Sequence, residues 1–244
     1  TLAWSLDKLG PMCRGVEDCA AVLAAIRGPD GRDATVEAVP FRWDAAAPLA
    51  KIRVGYDPAA FESQQGDRKK RYAEVLQTLR RLGIQPRPVK LPENDAYNVL
   101  AGITIDVESA ASFARLTESG RLNQLAGQRD GSWPNTFRLG STIPAADYLQ
   151  AARARSLLQR EMAEALKDVD VYVTVPFAGR TLAYTNLTGH PSLITRCGMQ
   201  DGRPASVEFI GGLFQEAALL RVGHAYEQAT PWHRLHPDTG RLLG

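Results

Sequence analysis

The sequence predicts an α/β fold, a mixed β-sheet flanked by helices, and three patterns carry that expectation. Residues 169–175, VDVYVTV, are a β-branched run closed by Pro176, the composition of a buried strand. Apolar residues recur at helical spacing between the strand candidates, most clearly over residues 72–82 and 148–166. Residues 186–222 read as one supersecondary unit of loop, strand, turn, strand and helix, on which the rest of the chain leans.

Taken in order, residues 1–11 (TLAWSLDKLGP) look like an apolar, strand-like start broken by Gly10-Pro11. Gly15 can cap a helix whose buried stripe is Val16, Cys19, Ala20, Leu23 and Ile26, with Glu17 and Asp18 in its first turn. The sequence from Gly28 to Gly31 stops it, and a loop rich in Pro and Ala runs to Pro48. Residues 52–56 are a short strand. Tyr72, Val75, Leu76, Leu79 and Leu82 then define an amphipathic helix stopped by Gly83. Pro86 and Pro88 weaken the strand at 84–89, so it is expected at an edge or irregular. A broken helical pattern covers 95–127, a loop around Trp133-Pro134 is expected over 132–143, and Pro144 opens the longest helix. Within the final unit, Gly189 and His190-Pro191 form a loop and residues 192–197 alternate as a half-buried strand. Residues 198–202 supply a turn, 205–210 return as a second strand, and Phe214 onward becomes a helix burying Leu219, Leu220, Gly223 and Tyr226. The tail from Thr230, with Trp232, two histidines and Pro237, reads as irregular.

The 244 residues suffice for one substantial core, and a single domain spanning 1–244 is expected. The chain is 44% hydrophobic and 23% charged with a net charge of +2, and its arginines are scattered, which argues against nucleic acid as a partner. No apolar run approaches the roughly 18 residues of a membrane span, and no signal peptide opens the chain, so a cytoplasmic protein without a membrane role is expected. Cys13, Cys19 and Cys197 fit reduced thiols better than a disulfide framework.

Motifs for catalysis are sparse. Ser5-Leu6-Asp7-Lys8 matches the S-x-x-K spacing of β-lactamase-like enzymes, but neither S-D-N nor K-T-G accompanies it, so a structural turn is the expectation. His190, His224, His233 and His236 lack an H-E-x-x-H motif or a cysteine pair, and no metal site is expected. There is no G-x-S-x-G, P-loop or G-x-G-x-x-G, so no nucleophile–base pair can be read from the residues alone.

Two distant stretches change this. Ser5-Leu6-Asp7-Lys8-Leu9-Gly10-Pro11-Met12, followed by Arg14, Val16 and Asp18, resembles the S-x-D-x-x-G-P-x-x-R-x-V-x-D segment of the amidase signature family. The motifs N-L-T-G-H-P, G-x-P-x-S-V-x-F-I-G, F-x-E-A-x-L-L-R-V and A-x-x-Y-E-Q-A-T-x-W-H follow in the order and spacing of that family's C-terminal half. The resemblance implies the amidase signature fold, its C-terminal part only. It also implies hydrolysis of small-molecule carboxylic amides by a serine, a second serine with a cis peptide bond, and a lysine, without metal or organic cofactor. A lysine acting as base must be neutral, so burial and cationic neighbours must lower its pKa. In the family these residues precede the S-x-D-x-x-G-P segment. The chain starts at Thr1 without an initiator methionine and has no Gly-Gly-Ser, so the expectation is a C-terminal fragment with no catalytic residue of its own, inactive when expressed alone. With central strands missing it would expose sheet edges, and a homodimer is one partner state this allows.

Substrate-binding residues implied by the resemblance are Arg155, Phe177, Tyr184 and Asn186. Arg155, in Ala151-Ala152-Arg153-Ala154-Arg155-Ser156-Leu157-Leu158, stands where relatives similar to the glutaminase component of tRNA-dependent amidotransferases bind the charged end of their substrate; an exposed helix arginine is the plain alternative. Phe177 and Tyr184, with Pro176, would line an acyl or leaving-group pocket, and the loop beginning at Asn186 would border it. Gly179-Arg180-Thr181-Leu182 replaces the carboxylate those relatives carry. That departure favours a general amidase over the alternative, the A subunit of an aspartyl/glutamyl-tRNA amidotransferase. The third reading is a non-catalytic binding relative.

Overall fold

The computed structural model describes residues 2–177 and 179–236. In chain order they form α1 (Val16–Ile26), β1 (Val54–Tyr56), α2 (Pro58–Glu62), α3 (Gly66–Arg81) and β2 (Arg87–Pro88). A 3-10 turn at Asp95–Val99 leads into α4 (Leu100–Ser112), α5 (Ala114–Glu118), α6 (Trp133–Gly140) and α7 (Ala145–Leu166). The chain continues with β3 (Val171–Thr174), α8 (Thr181–Thr188), β4 (Ser192–Gln200), β5 (Arg203–Gly211) and α9 (Glu216–Gln228). Two compact units are built from these. The first comprises the described residues of 1–9, 91–165 and 180–189, and the second those of 10–90, 166–179 and 190–236.

The second unit holds the mixed sheet that the sequence predicts; it has five strands in the order β2-β1-β3-β5-β4. β1 runs parallel to both β2 and β3, while β5 is antiparallel to β3 and β4. β2 has two residues and stands at the edge, where a proline without an amide hydrogen can be accommodated. All four residues of β3 are buried. Cross-strand registers place Val173 opposite Phe209 and Phe209 opposite Leu193, so these three share one face of the sheet. There they join a core with Val75 and Leu79 of α3, Leu219 and Val222 of α9, and Val16 and Ala20 of α1. Burying a side chain such as Phe209 is worth roughly 2 kcal/mol, and Phe209 is wholly enclosed.

α1 begins as expected at Gly15, but its first amide, which has no partner within the helix, is held from elsewhere. Both carboxylate oxygens of the buried Glu227, on α9, accept from the amide of Val16 at 3.2 Å. An acidic group at a helix N-terminus satisfies an orphan donor and complements the macrodipole. Gly83 ends α3 with φ 82, and the amide of Ile84 donates back to the carbonyl of Leu79.

Several local expectations are corrected. Residues 2–7 form a turn: the amides of Leu6 and Asp7 donate to the carbonyl of Ala3, and the Asp7 carboxylate accepts from the amides of Leu2 and Ala3. A short acidic side chain bonding its own neighbours competes with extended pairing. The loop expected over 132–143 contains α6, since Pro134 in a first helical turn sacrifices no hydrogen bond. Phe137 of α6 stacks on Phe113 with centroids 4.6 Å apart. Gly140 lets α6 meet α4, because a Cβ there would lie 1.9 Å from the carbonyl oxygen of Asp106. Both helices belong to the first unit.

The stretch expected as loop before Pro191 is largely α8, ended by Gly189 at φ 85. Its buried side is mostly Thr181, Thr185 and Thr188 with Tyr184 and Leu187, so no apolar stripe announces a helix. The β4–β5 hairpin is longer than expected. β4 continues through an irregularity between Arg196 and Gly198 to Gln200, and the reversal falls on Asp201 (φ 50) and Gly202 (φ 73). Both residues have the positive φ that two-residue hairpin turns favour. α9 starts at Glu216, after Phe214 at φ 59. The tail does contain a 3-10 turn, Trp232–Arg234, whereas Pro237 lies outside the described residues.

Candidate functional site

The polar centre of the first unit is Glu108. It sits on α4 with Thr104 one turn and Leu100 two turns earlier on the same buried face. Its carboxylate is fully buried and receives three donors. The amide of Ser5 reaches Oε2 at 2.9 Å, while the Ser5 hydroxyl and the Tyr148 hydroxyl reach Oε1 at 2.5 and 2.8 Å. Burial, followed by this bond to Glu108, raises the pKa of Tyr148. A buried charge is tolerable only when so surrounded.

Arg155, on α7, completes the arrangement. Its Nη1 donates to the Ser5 hydroxyl at 2.8 Å, its Nη2 to the Ser5 carbonyl at 2.9 Å, and its Nε to the carbonyl of Leu187. Three segments distant in sequence, around residues 5, 108 and 155, are thereby tied to the C-terminal end of α8. Expected at a substrate's charged end, Arg155 has a guanidinium engaged by these three chain atoms.

The geometry bears directly on the S-x-x-K spacing. The Ser5 hydroxyl donates to Glu108 and accepts from Arg155, while Lys8 Nζ donates to the carbonyl of Thr185 at 2.8 Å. The pKa of Lys8 is lowered, first by partial burial and then by the nearby Arg155. Lys8 is thus biased towards the neutral form that a base requires, but its amine faces a carbonyl oxygen. The segment is a structural turn, as its residues suggest.

The other expected residues divide between the units. In the first, Tyr184 is buried; its hydroxyl donates to the carbonyl of Pro92 at 3.0 Å and its ring meets Tyr97 edge-on. Asn186 is half-buried on α8 and donates to the carbonyl of Leu182 at 2.9 Å. In the second, Phe177 is 76% exposed and holds φ 59, a strained conformation for an aromatic residue. Arg180, in the stretch that lacks a carboxylate, pairs with Asp95 at 3.0 Å within the first unit. Sequence reasoning missed Glu108, whose only signal is a carboxylate at i+4 from Thr104 on an otherwise buried stripe.

The second unit carries a cleft of about 440 Å³ between the chain at residues 48–52 and α9, lined in part by Lys51, Asp170, Gln215 and Arg221. Asp170 is already held by Arg53, whose amide, Nε and Nη2 all donate to it. Among the described residues no group of three or more His, Cys, Asp or Glu is placed to hold a metal ion. Nor, among them, is any helix long and apolar enough to cross a membrane.

The amidase family model matches residues 1–220. The chain belongs to the amidase family. An amidase of Pseudomonas putida is 32% identical over 98% of this family member and 56% of its own length. The A subunit of glutamyl-tRNA(Gln) amidotransferase from Roseiflexus castenholzii is 28% identical over 97% of the chain and 56% of its own length. Among solved structures, the peptide amidase of Stenotrophomonas maltophilia superposes with a TM-score of 0.77 at 26% identity, covering 94% of this chain and 55% of that one. The chain therefore spans little more than half the length of the relatives it matches, and its mixed sheet with flanking helices corresponds to part of the fold of amidase-signature enzymes.

Proposed function

We propose that this chain is the C-terminal part of an amidase that hydrolyses carboxylic amide C–N bonds in a small-molecule substrate, in the cytoplasm. The observation that carries this reading is the family match over residues 1–220, joined by similarity to a peptide amidase over 94% of the chain. In this reading the Ser–cis-Ser–Lys triad lies upstream of Thr1, and the 244 residues alone do not turn over an amide. The engagement of the Ser5 hydroxyl by Glu108 and Arg155, and of Lys8 by Thr185, supports that second point, since neither is placed as a free nucleophile or base.

Arg155, Tyr184 and Asn186 in the first unit and Phe177 in the second are the proposed substrate-binding residues. For Arg155 the bonds to Ser5 and Leu187 support a role in shaping the site through the segments it holds. The second reading, the A component of a tRNA-dependent amidotransferase, is favoured by similarity to proteins so named; the absence of a carboxylate across residues 179–182 speaks against it.

The test is ammonia release from a panel of primary carboxamides, including glutamine and C-terminally amidated peptides. It compares the 244-residue chain with the polypeptide encoded when the upstream reading frame is included. The longer polypeptide is expected to release ammonia and the chain alone none. Release by the chain alone, abolished in Ser5→Ala or Lys8→Ala, would overturn the upstream placement. A longer polypeptide inert on every amide would favour a non-catalytic binding relative, and activity confined to glutamine would favour the amidotransferase component.

A further inference from the structure

Cys13 and Cys19 bracket the start of α1, both within the second unit. Cys19 is the fourth residue of the helix and Cys13 stands two before its Gly15 cap. Cys13 stands one residue beyond the N′ position that packs against the fourth helical residue in a hydrophobic staple, so the chain leading into the helix passes beside Cys19. The Cys19 thiol lies 4.0 Å from the carbonyl of Pro11, two residues before Cys13, which sets it against the segment that carries Cys13. Cys13 is exposed, Cys19 half-buried and Cys197 buried.

We propose that Cys13 and Cys19 form a reversible redox pair, closing to an intramolecular disulfide across the N-terminus of α1 by exchange with a low-molecular-weight disulfide. The inference does not depend on the amidase reading. The exposed Cys13 thiolate attacks one sulfur of the small disulfide, forming a mixed disulfide and expelling one thiolate. Cys19 then loses its proton to water and attacks the Cys13 sulfur, expelling the second thiolate. Two protein thiols are oxidised to one disulfide, and the small disulfide is reduced to two thiols.

The division of labour follows from surroundings. Burial is the first cause of the rise in the Cys19 pKa to about 11, with Cys13 and the Glu227 carboxylate adding to it. Cys19 is thus a poor initial nucleophile, and acts only once Cys13 carries a leaving group beside it. Cys197, pushed up to about 12 chiefly by burial, takes no part and serves as an internal reference. Closure fastens the segment at residues 11–13 to the first turn of the helix whose leading amide Glu227 holds.

The test uses the 244-residue chain with glutathione disulfide, followed by intact mass and a non-reducing tryptic map. Arg14 separates the two cysteines, so trypsin leaves residues 9–14 and 15–27 joined only if the bond has formed. Expected are a mass loss of about 2 Da for the two hydrogens, one titratable thiol remaining of three, the linked peptide pair, and reversal by reduced glutathione. Cys197→Ser should still form the link, whereas Cys13→Ser should keep both remaining thiols at the same exposure to oxidant. A stable glutathione adduct on Cys13 without the mass loss, or disulfide-linked dimers through Cys13, would overturn the proposal. So would an equilibrium constant for closure no greater in the folded chain than in concentrated urea, because the fold would then contribute nothing to bringing the thiols together.

Discussion

Replacing Glu108 with alanine removes the one acceptor shared by the Ser5 amide, the Ser5 hydroxyl and the Tyr148 hydroxyl. Hydrogen bonds to a charged group are worth about 1.5–3 kcal/mol each, so three of them would nominally amount to about 4.5–9 kcal/mol, a large part of a domain's whole stability. The alanine also abolishes the penalty of burying the charge, and breaking such a network therefore costs a net of about 3–5 kcal/mol. For a chain of this length that lowers the melting temperature by roughly 6–20 °C. Glu108→Gln should fall between parent and alanine: its amide oxygen can still accept from the two hydroxyls, but its amide nitrogen faces the donating Ser5 amide. The assay is urea unfolding followed by far-ultraviolet circular dichroism and by tryptophan fluorescence, since Trp4 and Trp133 both report on the first unit. A cycle with Ser5→Ala supplies the decisive number. The two substitutions should be non-additive by at least about 0.5 kcal/mol. Additivity, or an alanine variant within that margin of the parent, would show that the carboxylate does not organise the unit.

Two further outcomes follow from the same geometry. Gly140→Ala should destabilise the first unit by about 1–3 kcal/mol, since its methyl would collide with the Asp106 carbonyl; Gly102→Ala, on α4 with open space around it, should instead stabilise by about 0.5–1 kcal/mol, and chemical denaturation distinguishes the signs. The hydrogen bond from the Arg53 side chain is the first cause holding the Asp170 carboxyl below its ordinary pKa. A depressed folded-state pKa contributes stability that is fully present above the unfolded value, near about pH 4, and lost as pH falls through the folded value. Asp170→Asn should therefore flatten the acid limb of the stability–pH curve below about pH 4, and a limb as steep as the parent's would refute the assignment.

How much of this was legible depended on whether a residue's role was local. The buried strand at β3 was readable because β-branched residues fill it without interruption, and α3 because its apolar stripe keeps helical period up to Gly83. Pro86 and Pro88 pointed to an edge or irregular strand at 84–89; β2 is at an edge, and only Arg87–Pro88 of that stretch pair. α8 was hidden because threonines make up much of its buried side, and α6 because Trp-Pro reads as a loop when taken apart from Phe113 and α4. The family resemblance rested on motifs that keep their order along the chain. The network around Glu108 could not be read, because its partners Ser5 and Arg155 lie 103 and 47 positions away and nothing in the intervening residues marks the pairing. Glu227 was invisible for the same reason, its cap on Val16 spanning 211 positions.

The discontinuity of the first unit sets an order of events during synthesis. Lys8 meets the carbonyl of Thr185 across 177 positions, and Arg155 meets the carbonyl of Leu187. While the chain emerges from the ribosome, Ser5 can find Glu108 only after more than a hundred further residues have appeared, and the clamp on α8 waits for nearly eighty more. Closing such long loops costs entropy before any contact repays it, so this unit is topologically slow. Until residue 187 is out, Arg155 has one of its three partners missing and the buried carboxylate lacks its finished enclosure. The first unit thus cannot be completed before residue 187 has emerged, although its first stretch of chain is the earliest to be made; the second waits longer still, for β4, β5 and α9.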